Sequence, residues 1–455
     1  MLELLYLPGD YNFSGDIMSK LSFQAPRGTR DILPNDQPYW QYFYDTLNKT
    51  LQGLGMGKIE TPHFENLEIF ARGIGTDTDI VQKEMFVLES SDNKEENVRY
   101  ALRPEATAGV VRAYIQNGMS SWPSPIRLYY YGSMYRKERP QKGRYREFTQ
   151  AGVEIFGDES PQSDYLVIMS AWEILTRLGF KDLKVIANSI GCPLCRPKYI
   201  NKLKKYFKEK IGKLCQDCQN RYEKNPLRIL DCKQESCQKI AKEAPIILDS
   251  LCSPCRKHFQ ETLEYLDYFD VKYDLDPTLV RGLDYYTNTV FEITSKDDKA
   301  RQNVLGGGGR YNGLVELLGG PKTPAVGFSF GVDRIISQMK ENKIKVPRTR
   351  GVEVCILQLG EKAKNVSKNI YDKLSQNDIN VYFIPSNDGL RQQIRMASKL
   401  NAKYAVIIGQ REAMKDEIIL RDLDASSQEV FPTKNVIDEL KKRLEKCNCK
   451  SDKNK

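Results

Sequence analysis

The chain has 455 residues, 40% of them hydrophobic and 28% charged, with 69 Lys and Arg against 60 Asp and Glu for a formal charge of +9. That length exceeds one ordinary core and predicts two or three domains, while no apolar run approaches the ~18 residues that would span a bilayer, so no membrane segment is expected. Only two histidines occur, His63 and His258, which weighs against a catalytic triad or other chemistry built on a histidine base.

Met1 to Phe13 is partly apolar but lacks a basic leader and a small-residue cleavage site, so a cytoplasmic protein is expected. Asp36 is placed to cap a helix in which Trp40, Phe43, Leu47, Leu51 and Leu54 form one stripe. Gly55 and Gly57 end it, and Lys58 to Pro62 extends along a sheet edge or boundary. Ile126 to Tyr131 and Glu147 to Phe156 read as strands joined by a long basic turn, Lys137 to Arg144. A helix over Leu166 to Leu178 and a short strand over Val185 to Asn188 follow.

From Cys192 the composition changes: up to Glu264 there are 16 Lys and Arg against 9 Asp and Glu, and eight of the eleven cysteines. Strand character resumes over Tyr285 to Thr294. Leu305 to Gly309 is a glycine run leading into a helix around Tyr311 to Leu318, and Ala325 to Phe330 is a buried strand entering a helix near Asp333. After a polar link, Lys340 to Arg350, strands near Val352 to Leu359, Asn380 to Ile384, Tyr404 to Ile408, Glu417 to Asp422 and Glu429 to Phe431 alternate with helices, predicting a small α/β domain with a mixed sheet. The expected organisation is an unordered extension over 1–17, one domain in two parts over 18–190 and 267–340, an inserted module over 191–266, a linker over 341–350, a second domain over 351–446 and an unordered charged tail over 447–455.

On the strand from Phe148 to Phe156, a side-chain period of two places Phe148, Gln150, Gly152, Glu154 and Phe156 on one face. Gln150 and Glu154 stand ~13 Å apart at ~3.3 Å per residue, with a hollow at Gly152 between them where a small zwitterion fits. The same pattern describes a half-exposed strand with solvated polar residues. Arg136, Arg139, Arg144 and Arg146 crowd the hairpin, and guanidinium groups suit bidentate phosphate recognition as well as a solvated surface.

The run Tyr135-Arg136-Lys137-Glu138-Arg139-Pro140-Gln141-Lys142-Gly143-Arg144-Tyr145-Arg146-Glu147-Phe148 resembles motif 2 of the histidyl-tRNA synthetases. Leu279-Val280-Arg281-Gly282-Leu283-Asp284-Tyr285-Tyr286 and Gly307-Gly308-Gly309-Arg310-Tyr311 resemble the two histidine signatures of that family. Glu60-Thr61-Pro62 resembles the end of motif 1, Gly327-Phe328-Ser329-Phe330-Gly331-Val332-Asp333-Arg334 motif 3, and Pro26-Arg27-Gly28-Thr29-Arg30-Asp31 the usual opening. Two features depart from the pattern: residues before Met18 exceed the usual start, so Met18 is a candidate initiator, and Lys137 stands where many members have His.

The resemblance implies an α+β fold with the class II antiparallel catalytic sheet flanked by helices, a homodimer joined through motif 1, and a C-terminal anticodon-binding domain. It implies ATP with Mg²⁺, L-histidine and tRNA(His) as reactants. Arg136 and Arg281 would contact the α-phosphate and carry the catalysis, Arg144 and Arg334 the outer phosphates and adenine, and Phe148 would stack on adenine. Glu105, Thr107 and Gln150 would meet the α-amino group and Glu154 with Tyr286 the imidazole, with Tyr285 and Tyr311 lining the pocket; Gln141 would meet the tRNA. Seen alone, each of these tyrosines reads first as aromatic core packing. The run Gly306 to Gly309 lacks the Lys-Ser/Thr of a P-loop and reads as backbone close to the bound amino acid, or as a tight turn. Two competing readings are a regulatory relative of the kind that controls ATP phosphoribosyltransferase and a zinc-stabilised RNA-binding protein without ligase activity.

Cys192-x2-Cys195 and Cys215-x2-Cys218, nineteen residues apart, have the spacing of a four-cysteine zinc site, and Cys232-x4-Cys237 with Cys252-x2-Cys255 forms a looser second group. His258 is a possible substitute for one cysteine. Eight thiolates around two Zn²⁺ would reduce the segment's excess of +7 to about +3, leaving a modest basic surface beside the acceptor arm of the tRNA.

Overall fold

The computed structural model describes residues 23–75, 78–89, 98–139, 143–295, 304–347, 351–383 and 389–452. The expected extension over 1–17 and Gln141 lie outside them. The chain divides into two units between Val346 and Pro347.

In the first unit the chain makes β1 (Gly57–Lys58), a small ladder of β2 (Phe64–Asn66) and β3 (Tyr100–Leu102), the long pair β4 (Ile126–Tyr135) and β5 (Glu147–Phe156), then β6 (Leu183–Ser189), β7 (Tyr273–Leu275), β8 (Thr287–Ser295), β9 (Val304–Arg310) and β10 (Ala325–Gly331). All but β2 and β3 join one eight-stranded sheet in the order β1-β4-β5-β10-β9-β8-β6-β7. It is antiparallel except at its ends, where β1 runs parallel to β4 and β7 to β6.

Both faces of this sheet are covered, because β5 alternates between two cores. Ala151, Val153 and Ile155 pack with Trp40, Phe43, Leu47 and Leu51 of the helix Gln37–Gly53, with the helix Pro161–Arg177 and with Val332–Glu341. On the other face Phe156 and Tyr130 pack with the helix Thr107–Gln116 and with the Cys-rich module, whose helices run Arg196–Lys208, Gln216–Lys224, Glu235–Lys242 and Ser253–Tyr268. Asp36 does sit at the N-cap of the first helix, but its side chain makes no cap there; it pairs with Lys340 instead. A charge partner across the fold has replaced the local hydrogen bond.

Gly306 to Gly309 does not form a tight turn, one of its two readings, but lies inside β9, between β8 and β10. The helix predicted to follow it is confined to Leu314–Leu317.

The second unit has β11 (Val354–Gln358), β12 (Val381–Phe383), β13 (Tyr404–Ile408), β14 (Glu417–Asp422) and β15 (Gln428–Pro432) in the order β12-β11-β13-β14-β15. The first three are mutually parallel and the last two antiparallel, the mixed sheet that the alternating pattern predicts. Its last helix runs Val436–Asp452, so regular structure continues into the segment expected as an unordered tail. Among the described residues no helix is long and apolar enough to cross a membrane.

Candidate active site

A cavity of about 400 Å³ opens on the large sheet, lined by Glu105, Thr107, Arg136, Glu138, Arg144, Phe148, Gln150, Arg281, Tyr285, Tyr286, Gly306, Gly307, Asp333 and Arg334 among others. It therefore gathers residues from motif 2, motif 3 and both signatures, which lie far apart in sequence. Of the expected site residues, Glu154 and Tyr311 are not on its wall, and Gln141 lies outside the described residues. Arg139 is exposed and does not line it.

The cationic wall is held by carbonyls and acids. Arg136 donates from Nε to the carbonyl of Pro104 at 2.9 Å and lies 5.1 Å from the centre of the Phe148 ring. Glu138 stands between two guanidiniums, 3.5 Å from Arg136 and 3.4 Å from Arg144. Arg334 donates to the carbonyl of Val304 at 2.9 Å. Arg281 is paired with Glu292 of β8; burial is the largest single influence and disfavours its charge, but Glu292, Tyr286 and Tyr285 together outweigh it and hold the guanidinium pKa above its usual value. The glycine strand makes room for this arginine. A Cβ on Gly307 would fall 2.7 Å from Arg281 Nη1, so a side chain there and the guanidinium exclude one another.

The opposite wall is acidic and buried. Glu154 accepts from Thr107 Oγ1 at 2.8 Å, from Tyr130 OH at 3.3 Å and from Tyr311 OH. Because Thr107 lines the cavity, Glu154 sits one hydrogen bond behind its wall. Burial is the largest influence on its carboxyl and lifts its pKa to about 8, against the pull of the Tyr311 and Thr107 hydrogen bonds. Glu105 is raised in the same direction by burial. Both of its oxygens accept backbone N–H groups at 2.8 Å, from Thr107 and Ala108, so it caps the helix Thr107–Gln116 and fixes Thr107 in place. Gln150 Oε1 is buried with no hydrogen-bond partner among the described residues.

The hollow expected at Gly152 is not open. Gly152 pairs with Tyr130 across the ladder, and a Cβ at 152 would collide with the Tyr130 hydroxyl and with the carbonyl of Phe328. The missing side chain accommodates a phenol that reaches Glu154, so the ligand space lies toward Gln150 and Phe148. Gly327, opposite Glu154 in the β10 ladder, is glycine for a similar reason: a Cβ there would meet the carboxylate.

Sequence reasoning missed four contributors: Tyr130, Glu138, Glu292 and the capping role of Glu105. Tyr130 is the cross-strand neighbour of a strand glycine, a signal that a side chain or backbone approaches there. An acid at the start of a helix was the available signal for Glu105. Asp333 also does more than the motif shows. It accepts from Arg30 and from the backbone N–H of Thr149, both at 2.6 Å, which ties the family's opening segment to the end of the cavity.

The cysteines form two groups of four, but not in sequence order. Cys192, Cys195, Cys252 and Cys255 come together, and so do Cys215, Cys218, Cys232 and Cys237, with the sulfurs of each group within 4.8 Å of one another. The expected pairing of Cys192/Cys195 with Cys215/Cys218 is therefore wrong: chain reversal brings the module's two ends together and leaves its middle to form the second group. His258 does not join either group; its Nε2 lies 3.1 Å from Asp164.

Residues 28–335 match the family model described as histidyl-tRNA synthetase, and residues 353–443 one described as an anticodon binding domain. The histidine–tRNA ligase of Desulforamulus reducens is 44% identical over 412 residues, 90% of this chain and 97% of that protein. That of Caldanaerobacter subterraneus subsp. tengcongensis is 43% identical, covering 92% and 99%. The crystal structure of apo histidyl-tRNA synthetase from S. aureus superposes with a TM-score of 0.77 at 32% identity, covering 92% of this chain and 100% of that one. The antiparallel sheet flanked by helices, the arginine-lined cavity and the separate C-terminal unit are those of a class II aminoacyl-tRNA synthetase. Within that class, the chain belongs to the histidyl-tRNA synthetase family.

Proposed function

We propose that the chain ligates L-histidine to tRNA(His) in two steps. In the first, a carboxylate oxygen of histidine attacks the α-phosphorus of ATP, the bond from that phosphorus to the bridging oxygen breaks, and pyrophosphate leaves. In the second, a hydroxyl of the tRNA 3′-terminal ribose takes the histidyl group and AMP leaves. Both reactants of the first step are anions, so the protein must neutralise their repulsion and hold them in line. Arg136 and Arg281 serve the α-phosphate, Arg144 and Arg334 the outer phosphates and adenine, and Phe148 stacks on the base. Since the cavity's carboxylates are already engaged, Glu138 by two arginines, Asp333 by Arg30 and the N–H of Thr149, and Glu105 by the N–H groups of Thr107 and Ala108, Mg²⁺ would be held mainly by the phosphate oxygens themselves, where it supplies further charge neutralisation.

For histidine, the partnerless Gln150 amide oxygen is an acceptor for the α-ammonium group, together with Thr107 and the nearby Glu105. Glu154, acting from one hydrogen bond behind the wall through Thr107, and Tyr286 read the imidazole, with Tyr285 and Tyr311 enclosing it; a side chain without two correctly spaced ring nitrogens cannot complete this hydrogen-bonded set and is rejected. Gln141 meets the tRNA. Zinc in the Cys-rich module, dimerisation through motif 1 and a cytoplasmic setting complete the reading.

The observation that carries it is convergence: guanidinium groups from motifs 2 and 3 and the first signature face the same cavity as Gln150 and Thr107, with Glu154 directly behind. The test is exchange of labelled pyrophosphate into ATP. Exchange that requires histidine is expected, and its absence from metal-replete protein would sink the proposal.

A further inference from the structure

The tetrahedral edge of a four-sulfur zinc site is about 3.8 Å for a Zn–S bond of ~2.3 Å. Three separations in the first group and one in the second match it, 3.7 Å for Cys192–Cys195, 3.9 Å for Cys192–Cys252, 3.9 Å for Cys195–Cys255 and 3.8 Å for Cys215–Cys232, and all sulfurs of each group lie within 4.8 Å of one another. They are far too long for disulfides. Polar hydrogens also point at the sulfurs, as they do where thiolates carry charge. The backbone N–H of Cys192 lies 3.3 Å from Cys195 Sγ, that of Cys215 3.2 Å from Cys237 Sγ, that of Gln234 3.5 Å from Cys232 Sγ, and Asn288 Nδ2 3.4 Å from Cys255 Sγ.

The two groups grip opposite ends of one active-site segment. Next to Cys195, Arg196 donates to the carbonyl of Tyr286 at 2.7 Å and to that of Gly191 at 3.0 Å, and Asn288 links Cys255 to β8 just past Tyr286. Between Cys218 and Cys232, Arg228 donates to the carbonyl of Gly282 at 2.7 Å, and Asn225 to the carboxylate of Asp284 at 2.8 Å. The segment Arg281–Tyr286 thus carries an arginine and two tyrosines of the cavity while its backbone is held from the module at both ends.

We propose that the module binds two zinc ions, one at Cys192/Cys195/Cys252/Cys255 and one at Cys215/Cys218/Cys232/Cys237, and that they position the Arg281–Tyr286 segment. Arg196 carries the first ion's influence to the tyrosine end and Arg228 the second's to the arginine end. The kinetic part rests on the cavity being the site of histidine activation.

Metal content by plasma mass spectrometry of protein produced with zinc tests the sites. Two ions per chain are expected, and one in each of the double variants Cys192→Ser/Cys252→Ser and Cys215→Ser/Cys232→Ser. Pairing in sequence order would place each double variant across both sites and leave none; that result, or no zinc in the parent protein, overturns the assignment. Arg196→Ala and Arg228→Ala test positioning, since both should keep two ions and the parent's helical circular dichroism. By the usual effect of removing a group that supports a metal ligand or site, Arg196→Ala should raise KM for histidine about tenfold with little change in kcat, and Arg228→Ala should lower kcat about tenfold. Arg196→Lys should recover part of the loss. Wild-type kinetics in both alanine variants would overturn the positioning role, whereas parent protein that retains its zinc without any exchange would instead overturn the activation reading.

Discussion

Gly307 and Arg281 share one volume: a Cβ at 307 would stand 2.7 Å from the guanidinium Nη1 and 3.0 Å from its Cζ. The glycine is required by its neighbours, this guanidinium and the carbonyl of Phe291, also 2.7 Å from that Cβ, rather than by its own backbone angles. Gly307→Ala should push the guanidinium from its place beside Glu292, and a misplacement near 1 Å in a charge-stabilising group costs about 10²-fold in rate. We expect kcat for pyrophosphate exchange to fall by roughly that factor, with a smaller change in KM for histidine. Wild-type kcat in a variant of unchanged melting temperature would break the link between the glycine strand and the arginine.

Glu154 makes stability depend on pH in an unusual direction for a carboxylate. Its carboxyl titrates near 4.5 in the unfolded chain and near 8 when buried in the fold. Between those values the folded protein holds a proton that the unfolded chain has lost, so this contribution is fully present below pH 4.5 and declines as pH rises towards 8. Glu154→Gln removes the titration while keeping the shape. The melting temperature of Glu154→Gln relative to the parent should therefore climb across that window, by up to about 1.4 kcal/mol in stability per pH unit, and level off above it. Equal pH profiles for the two proteins would count against a buried, proton-retaining carboxyl. In the exchange assay the same variant should lose discrimination for histidine.

Tyr311 supplies one of the hydrogen bonds that restrain that titration. Its removal in Tyr311→Phe leaves the buried carboxyl short of a donor, a cost of about 1–3 kcal/mol, and lets burial push the Glu154 pKa higher still. Thermal unfolding should show a loss of that size at neutral pH, with the declining limb of the pH profile moved upward. A limb moved to lower pH would reverse the role assigned to the phenol.

Much of this site is legible from side-chain pattern. Alternation along Glu147–Phe156 separated Ala151, Val153 and Ile155, which face one core, from Phe148 and Gln150, which face the cavity. What pattern could not supply was the third dimension. A run of four glycines weakens any strand by propensity, so the run reads as backbone close to a bound amino acid or as a tight turn and not as a strand; only the sheet shows that β8, β10 and Arg281 occupy the space its side chains would need. The hollow at Gly152 was drawn from one strand, and Tyr130 on the next strand fills it. The cysteine spacing correctly pointed to groups of four, but spacing along a chain does not say which pairs meet once helices reverse its direction. Motif resemblance, by contrast, joined residues as distant as Arg136, Arg281 and Arg334 without geometry, and the cavity brings these three together.

Arg310, the arginine of the second signature, points away from the cavity chemistry. Its guanidinium is buried against Asp164 and also donates to the carbonyls of Asp158 at 2.8 Å and Ser160 at 3.0 Å, tying the end of β9 to the start of the helix Pro161–Arg177. Burial alone would raise the Asp164 carboxyl, but Arg310 and His258 hold it below its usual range, so its stabilising contribution is present at neutral pH and is lost as pH falls below about 4. Arg310→Met leaves a buried carboxylate with only His258 at 3.1 Å, and breaking such a pair costs about 3–5 kcal/mol. Burial then dominates the carboxyl and raises its pKa, so on the acid side the stranded charge is more readily neutralised. The stability deficit should consequently be smaller at pH 5 than at pH 7.5. Pairing the change with Asp164→Leu should recover much of the loss, because an apolar pair of similar volume leaves no charge stranded. Equal losses in the single and double variants, measured by denaturant unfolding, would instead assign the cost to the carbonyl contacts of Arg310.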